Sequence, residues 1–363
     1  MPRYSLKVNI LTGFILNTLA LILLILSWNN QSFSTWYAVS IYPIFPRVIG
    51  RLTALFPFSV FEVILVVCFL LFILWIVKTS LAGPKLFFNR LKRASLWTLN
   101  IFGTFFLMFV LTAGINYNRE SFADHIGITV SPSSVYELEG LFLLLVEHAH
   151  EISAKVATDS TGHFVLNSPD TKNIGIMAMK GLNDKLGGIN TYLPRAKVPL
   201  ISKLMLYFGV SGFYSPWTLE AHYNDNDLAL HIPFVICHEL SHISSYMKEN
   251  EANFIAYLAC HESENIDFQY SAVYIALNST LSALAKITSR EHLIHLYKMM
   301  PEQVIRDRDK SRKIHAQYEG KVAEISSKVN DTYLRANRQK DGVQSYGQIV
   351  DLLLAYYKSE ITH

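Results

Sequence analysis

A chain of 363 residues has room for one large domain or two modest ones. About half of it is apolar and only 17% is charged, a share too low for a protein that is soluble along its whole length. Three cysteines exclude a disulfide-stapled scaffold, and no nucleic-acid partner is expected.

The charge is spread unevenly. Residues 1–117 carry nine of the 32 Lys and Arg but only one of the 29 Asp and Glu, Glu62. Such a split predicts a membrane part joined to a water-soluble part. Three apolar runs, over about 8–28, 58–77 and 96–117, each have the roughly 20 residues that a helix needs to cross a bilayer. Trp28, Trp75, Trp97 and Tyr117 stand near their ends, where aromatic rings favour the interface. The first run is longer than the apolar core of a signal peptide and no small-residue cleavage site follows, so it reads as a retained anchor. Glu62 is expected at the interface, solvated. Lys78, Lys85, Arg90, Lys92 and Arg93 make the loop between the second and third runs the most basic, which predicts that it faces the cytoplasm. The N-terminus is then inside, and everything after Tyr117 is outside the cell membrane.

The rest, 118–363, reads as one mostly helical domain. Apolar periodicity predicts a helix over about 134–157, capped by Ser133 or Ser134. The turn-rich segment TDSTGHFVLNSPD reads as a loop, and a further helix is expected around 174–185, ended by Gly187 and Gly188. Residues 209–224, GVSGFYSPWTLEAHYN, read as a turn followed by a short strand. Helices are then expected from about Pro233, over 251–260, 268–287 and 302–333, with a last apolar run at 346–357. Cys237 and Cys260 flank the most informative stretch and read as buried, reduced thiols.

That stretch, 237–262, is CHELSHISSYMKENEANFIAYLACHE. His238-Glu239-Leu240-Ser241-His242 spells HExxH. On a helix, residues four apart share a face, so both imidazoles can reach one ion at about 2.0–2.1 Å. Glu239, beside them, is placed to take a proton from a water that the ion activates and to return it to a leaving amine. A catalytic zinc usually has a third protein ligand. Glu249 and Glu251 are the candidates. A straight helix would carry Glu249 about 10 Å beyond His242, so the chain must turn, at Ser244-Ser245, before a second helix brings a carboxylate back. The competing account is a polar helix with two histidines by chance.

HExxH followed by Glu-x-x-Ala-Asn resembles the glutamate-ligand zinc peptidases, the gluzincins. The resemblance implies Zn2+ held by His238, His242 and Glu249, with Asn253 as the residue that orients a ligand histidine. The spacer from His242 is shorter than in most gluzincins, which keeps Glu251 as a rival to Glu249. The whole chain resembles a family of bacterial membrane proteins classed as a domain of unknown function, with three N-terminal membrane helices and a zincin-like domain. The likeness rests on SIYP, FPFSVFE, SGFYSPWTLEAHYN, HELSH with KENEANFIAYLAC, and NDTYLRANRQKDGVQSYG. Many members would have Gly at the position of Ser245. The implied protein is mainly α: a transmembrane part over 1–117 and a zincin-like metallopeptidase domain over 118–363 with a short β edge segment.

In zincins an extended edge upstream of the metal helix pairs with substrate backbone. Gly212, Phe213, Tyr214 and Trp217 are placed for that role here; the alternative, equally weighted, is a strand that merely packs. Tyr346 is a candidate donor to the oxyanion of a tetrahedral intermediate, or else a buried tyrosine with a satisfied hydroxyl. His148, His150, His222, His231 and His261 need no metal. The leading expectation is a membrane-anchored zinc endopeptidase acting on peptides or proteins near the bilayer. The alternative is a non-catalytic sensor or scaffold on a zincin fold.

Overall fold

In the computed structural model, residues 3–81, 84–131, 133–190, 192–339 and 349–358 are described. They are mainly helical, and the chain divides into two units. The first comprises 1–120 together with 215–220; the second comprises the remainder.

Three helices in the first unit are long and apolar enough to cross a membrane: Asn9–Asn29, Val60–Ser80 and Trp97–Asn118. Only 6% of the apolar window of the middle one is buried among the described residues, so most of its Leu, Phe and Ile side chains are exposed. A surface of that kind is stable in hydrocarbon and costly in water. Ser59 starts this helix by accepting the Glu62 N–H at 3.1 Å. Glu62 is itself buried in the first turn, rather than solvated as its lone charge suggested. The first and third helices lie close together because small and amide side chains separate them. A Cβ on Gly103 would stand 2.6 Å from Asn17 Nδ2 and 3.1 Å from Leu16 Cβ. Asn17 Nδ2 donates to the carbonyls of Gly13 (2.8 Å) and Leu99 (3.3 Å), and Asn100 Nδ2 donates to Asn9 O at 3.0 Å. In lipid these amides hold helices together where apolar contact alone does not discriminate.

The segment 209–224 is a β-hairpin rather than a turn followed by one strand. Strand β1, Gly212–Ser215, pairs with β2, Glu220–Tyr223. Leu219, with φ of 53°, closes the tight connection. The tip, 215–220, belongs to the first unit. There Trp217 stacks on Phe61 (5.9 Å between centroids) and its indole N–H donates to Phe105 O at 3.1 Å. The buried Glu220 carboxylate accepts the N–H groups of Val60 (3.1 Å) and Phe61 (2.9 Å). A carboxylate at that place satisfies donors that no helix can satisfy itself, and it complements the helix dipole.

In the second unit, Ser134 and Glu137 form a capping box at the start of the helix Val135–Ser153, which stops four residues before the expected end. Gly187, with φ of 73°, ends the helix Thr171–Leu186. The motif helix Ile232–Ile243 packs on the helix Glu249–His261, and that helix packs on Ile266–Leu284. Phe254, Tyr257, Phe268, Leu141 and Leu145 fill the core between these layers. Cys237 and Cys260 are buried free thiols. The long helix expected over 302–333 is broken into Glu302–Ala316 and Lys321–Ala336, with Gly320 just ahead of the second piece. Glycine is a weak helix former, and the charged residues on both sides left no apolar stripe strong enough to override it. The helix Arg290–Met299, capped by Ser289, was not expected.

Glu220→Ala removes the acceptor of two N–H groups at the start of a membrane-length helix. The expected loss of stability is about 1–3 kcal/mol, and less for Glu220→Gln, which keeps one acceptor oxygen. Thermal denaturation of the detergent-solubilised chain measures both.

Candidate metal centre

Every residue of the motif helix except Val235 is buried, and Pro233 stands in its first turn, where a missing N–H costs nothing. An apolar helix buried on all sides leaves its polar groups no water. They must find partners in the protein, and the partners define the site.

His238 and His242 lie one turn apart, with rings perpendicular and centroids 4.8 Å apart. Each ring is held by its Nδ1. That of His242 is 2.7 Å from Tyr246 O, and that of His238 is 2.8 Å from Asn253 Oδ1. A carbonyl oxygen only accepts, so both Nδ1 atoms carry the proton and both Nε2 atoms of the neutral rings present lone pairs. Those two atoms face one oxygen. Glu249 Oε2 is 3.1 Å from His238 Nε2 and 3.8 Å from His242 Nε2. Two ligands bonded tetrahedrally at 2.0–2.1 Å stand about 3.3 Å apart, a value these distances bracket. The donor set, two imidazoles and a carboxylate, is the one zinc takes in hydrolytic sites.

The turn between the helices makes the convergence possible. The motif helix stops at Ile243, and Ser245 takes φ of 73°. Ser245 N–H then donates to His242 O (3.0 Å) and Tyr246 N–H to Ser241 O (3.1 Å). This pair of bonds is the Schellman ending, whose left-handed residue is usually glycine. The same turn delivers the Tyr246 carbonyl to His242. At the far side of the turn, Glu249 opens its helix and its N–H donates to Gln339 Oε1 at 3.2 Å. Glu251 is directed elsewhere: it accepts Phe122 N–H at 3.2 Å and pairs with Lys248 at 3.1 Å. Of the two candidate carboxylates, Glu249 is the one brought to the histidines.

Glu239 lies beside them. Its Oε2 is buried with no hydrogen-bond partner. Burial pushes its carboxyl up to about 8; His238 opposes the shift and the charge of Glu249 adds to it. Burial pulls His242 down to about 4 against the pull of Glu249, which keeps the ring neutral. Burial also works to lower His238, but Glu249 and Glu239 outweigh it and the net direction is up. Without a cation the ring takes a second proton on Nε2 and donates it in a hydrogen bond to Glu249, and a cation would stand in that proton's place. Two buried carboxylates beside two imidazoles form a site whose charge a divalent cation would balance.

Strand β1 runs against this helix. A Cβ on Gly212 would stand 2.7 Å from Glu239 Oε1, 2.6 Å from Val235 Cγ1 and 2.8 Å from His222 O, so only glycine fits. The Tyr214 ring is 6.2 Å from that of His242, while Phe213 stacks on His222 at 4.2 Å. Among the described residues β1 is the outer strand of the sheet, since β2 is bridged on its other side by Lys197. Trp217, grouped with these residues in the sequence, serves the packing of the first unit, and Tyr346 lies outside the described residues. Gln339 and Tyr246 were not foreseen. Tyr246 contributes a backbone carbonyl, which no side-chain pattern announces, and Gln339 is 90 residues from the helix it caps.

The left-handed backbone at Ser245 costs a non-glycine residue roughly 1–2 kcal/mol, part of which glycine gives back through its freer unfolded chain. Ser245→Gly is therefore expected to stabilise the protein by up to about 1 kcal/mol, with metal retention unchanged. The denaturation midpoint checks it.

The family model described as protein of unknown function (DUF3810) matches residues 37–354, and the chain belongs to that family. No curated protein and no solved structure matches the chain.

Proposed function

We propose that this family member is a membrane-anchored zinc metallopeptidase with a zincin-like domain. The observation that supports the reading is the convergence of His238 Nε2, His242 Nε2 and Glu249 Oε2 beside the buried Glu239. His238, His242 and Glu249 would hold the ion. Zinc there would act as a Lewis acid and bring water to its reactive form near neutral pH.

The chain's own groups do the rest. Asn253 and Tyr246 O keep the two rings in the tautomer that ligates. Glu239 takes the proton of the attacking water and passes it to the nitrogen of the leaving amine. Burial raises this carboxyl in the metal-free site, and a cation bound beside it would lower it again, so that Glu239 begins as the carboxylate a general base must be. β1 would receive an extended peptide by backbone pairing, with Gly212 letting the strand run close to Glu239. Substrates would be peptides or protein segments near the bilayer. The rival, a zincin-fold sensor without turnover, gives no reason for a buried acid beside the ligands.

In the full chain in detergent, His238→Ala should lower the zinc count by about one. Glu239→Gln should keep the zinc and cut cleavage of a fluorogenic peptide library at least ~100-fold. Zinc unchanged by His238→Ala, or full cleavage by Glu239→Gln, would refute the peptidase. Zinc held with no cleavage by the unaltered protein would favour the sensor.

We also read the three apolar helices as transmembrane, with the second unit outside the cytoplasm, because the connection carrying Lys78, Lys85, Arg90, Lys92 and Arg93 is the most basic. It is not the loop the sequence suggested, since Lys78 lies in the last turn of the helix Val60–Ser80 and the other four lie in the helix Pro84–Phe109. A C-terminal tag should then be cut by protease added to intact spheroplasts. Protection of the tag until the cells are lysed would reverse the orientation.

A further inference from the structure

We propose that Asp227, His231 and His315 form a second divalent-metal site, separate from the HExxH centre and independent of its chemistry. His231 lies at the start of the motif helix and His315 in the last turn of the helix Glu302–Ala316. His231 Nδ1 is 3.4 Å and His315 Nε2 is 3.9 Å from the same oxygen, Asp227 Oδ1. The two rings stack, with centroids 5.8 Å apart. All three ligand atoms lie within 4.8 Å of one another.

The orientation of His315 carries the argument. Its Nδ1 is 2.9 Å from Ser311 O, which can only accept. Ser311 Oγ is 3.2 Å from the same nitrogen. With Nδ1 engaged by Ser311, Nε2 is the nitrogen left to ligate, and it faces Asp227 Oδ1 at 3.9 Å, too far for a direct hydrogen bond and wide enough for an ion between them. The device is the one that fixes His242, a carbonyl on the far nitrogen of the ring.

Charge points the same way. The Asp227 side chain is only 5% exposed. Its partners are Leu228 N–H at 2.7 Å, the Ser211 hydroxyl and the two rings, with no Lys or Arg among them. Lys310 lines the same hollow but pairs with Asp159 at 3.8 Å. A divalent cation would balance the buried carboxylate directly. Two nitrogens and one oxygen select zinc or a neighbouring transition metal over Mg2+ or Ca2+. With His315 half exposed, water would complete the coordination. His231 precedes His238 by seven residues on one helix, about 10 Å along its axis, so the two sites do not share an ion. Bound there, the metal would tie the end of Glu302–Ala316 to the start of the motif helix.

The test is zinc titration of the metal-stripped full chain by equilibrium dialysis. The unaltered protein should bind about two zinc ions, and His315→Ala about one. His315 is half exposed, so its removal leaves the core intact; Asp227→Asn, which keeps the side-chain shape, should lose the same ion. His238→Ala should also bind about one, and the double variant His238→Ala/His315→Ala none. A count that His315→Ala and Asp227→Asn leave unchanged overturns the second site, whatever His238→Ala does. A count lowered by His315→Ala but not by His238→Ala leaves the second site standing and removes the peptidase centre instead.

Discussion

Two imidazole nitrogens and one carboxylate oxygen are held within 4.8 Å of one another inside the protein, and much of the second unit is arranged around that constraint. Such a group is costly to bury. Glu249 and Glu239 together bring two carboxylates out of water, and the charge of Glu249 adds to the burial that makes Glu239 harder to ionise. The apolar burial of Phe254, Tyr257, Phe268 and the motif helix offsets that cost. A packed helix on each side also prevents the ligands from relaxing away from one another. Rigidity of the core and strain of the site are thus two aspects of the same packing.

The turn at Ser244-Ser245 settles which carboxylate reaches the histidines. A left-handed residue reverses the chain within a few positions, so the first turn of the next helix points back at the site. Glu249 stands at that turn, whereas Glu251, two residues on, faces Phe122 and Lys248. The short spacer that left both open in the sequence is what a Schellman turn requires. Ser245 pays for the geometry with backbone strain. That an otherwise well-packed segment tolerates it agrees with the general finding that strain collects where function demands a particular geometry.

The local features were legible and the non-local ones were not. Membrane helices declare themselves by length and composition, and HExxH by a spacing that one helix fulfils alone. The capping box at Ser134 and the stop at Gly187 are equally local. By contrast, the sequence around Glu220 shows only an acid in a strand. Its role as acceptor for Val60 and Phe61 N–H depends on residues 160 and 159 positions away. The same holds for Gln339 at Glu249. Trp217 makes the same point: its partners, Phe61 and Phe105, lie more than 100 residues away, and nothing beside it in the sequence announces them.

The histidines show how far this limit reaches. His238 and His242 declare themselves because a single helix supplies both. Asp227 and His231 have the same four-residue spacing but straddle a helix start, where such pairs usually serve as turns and caps, and the third member follows 84 residues later. Counting histidines could not separate His231 from His222, whose ring is occupied with Phe213. The distinguishing feature is a shared carboxylate: His231 and His315 both face Asp227 Oδ1, whereas the Nδ1 of His222 meets Phe213 O. A carbonyl on Nδ1 fixes the tautomer and commits Nε2 to whatever it faces, and His242 and His315 share that arrangement although nothing in their flanking residues is alike. Metal sites that no motif announces are to be sought through such backbone acceptors, because the protonation state they impose decides whether an imidazole can ligate at all.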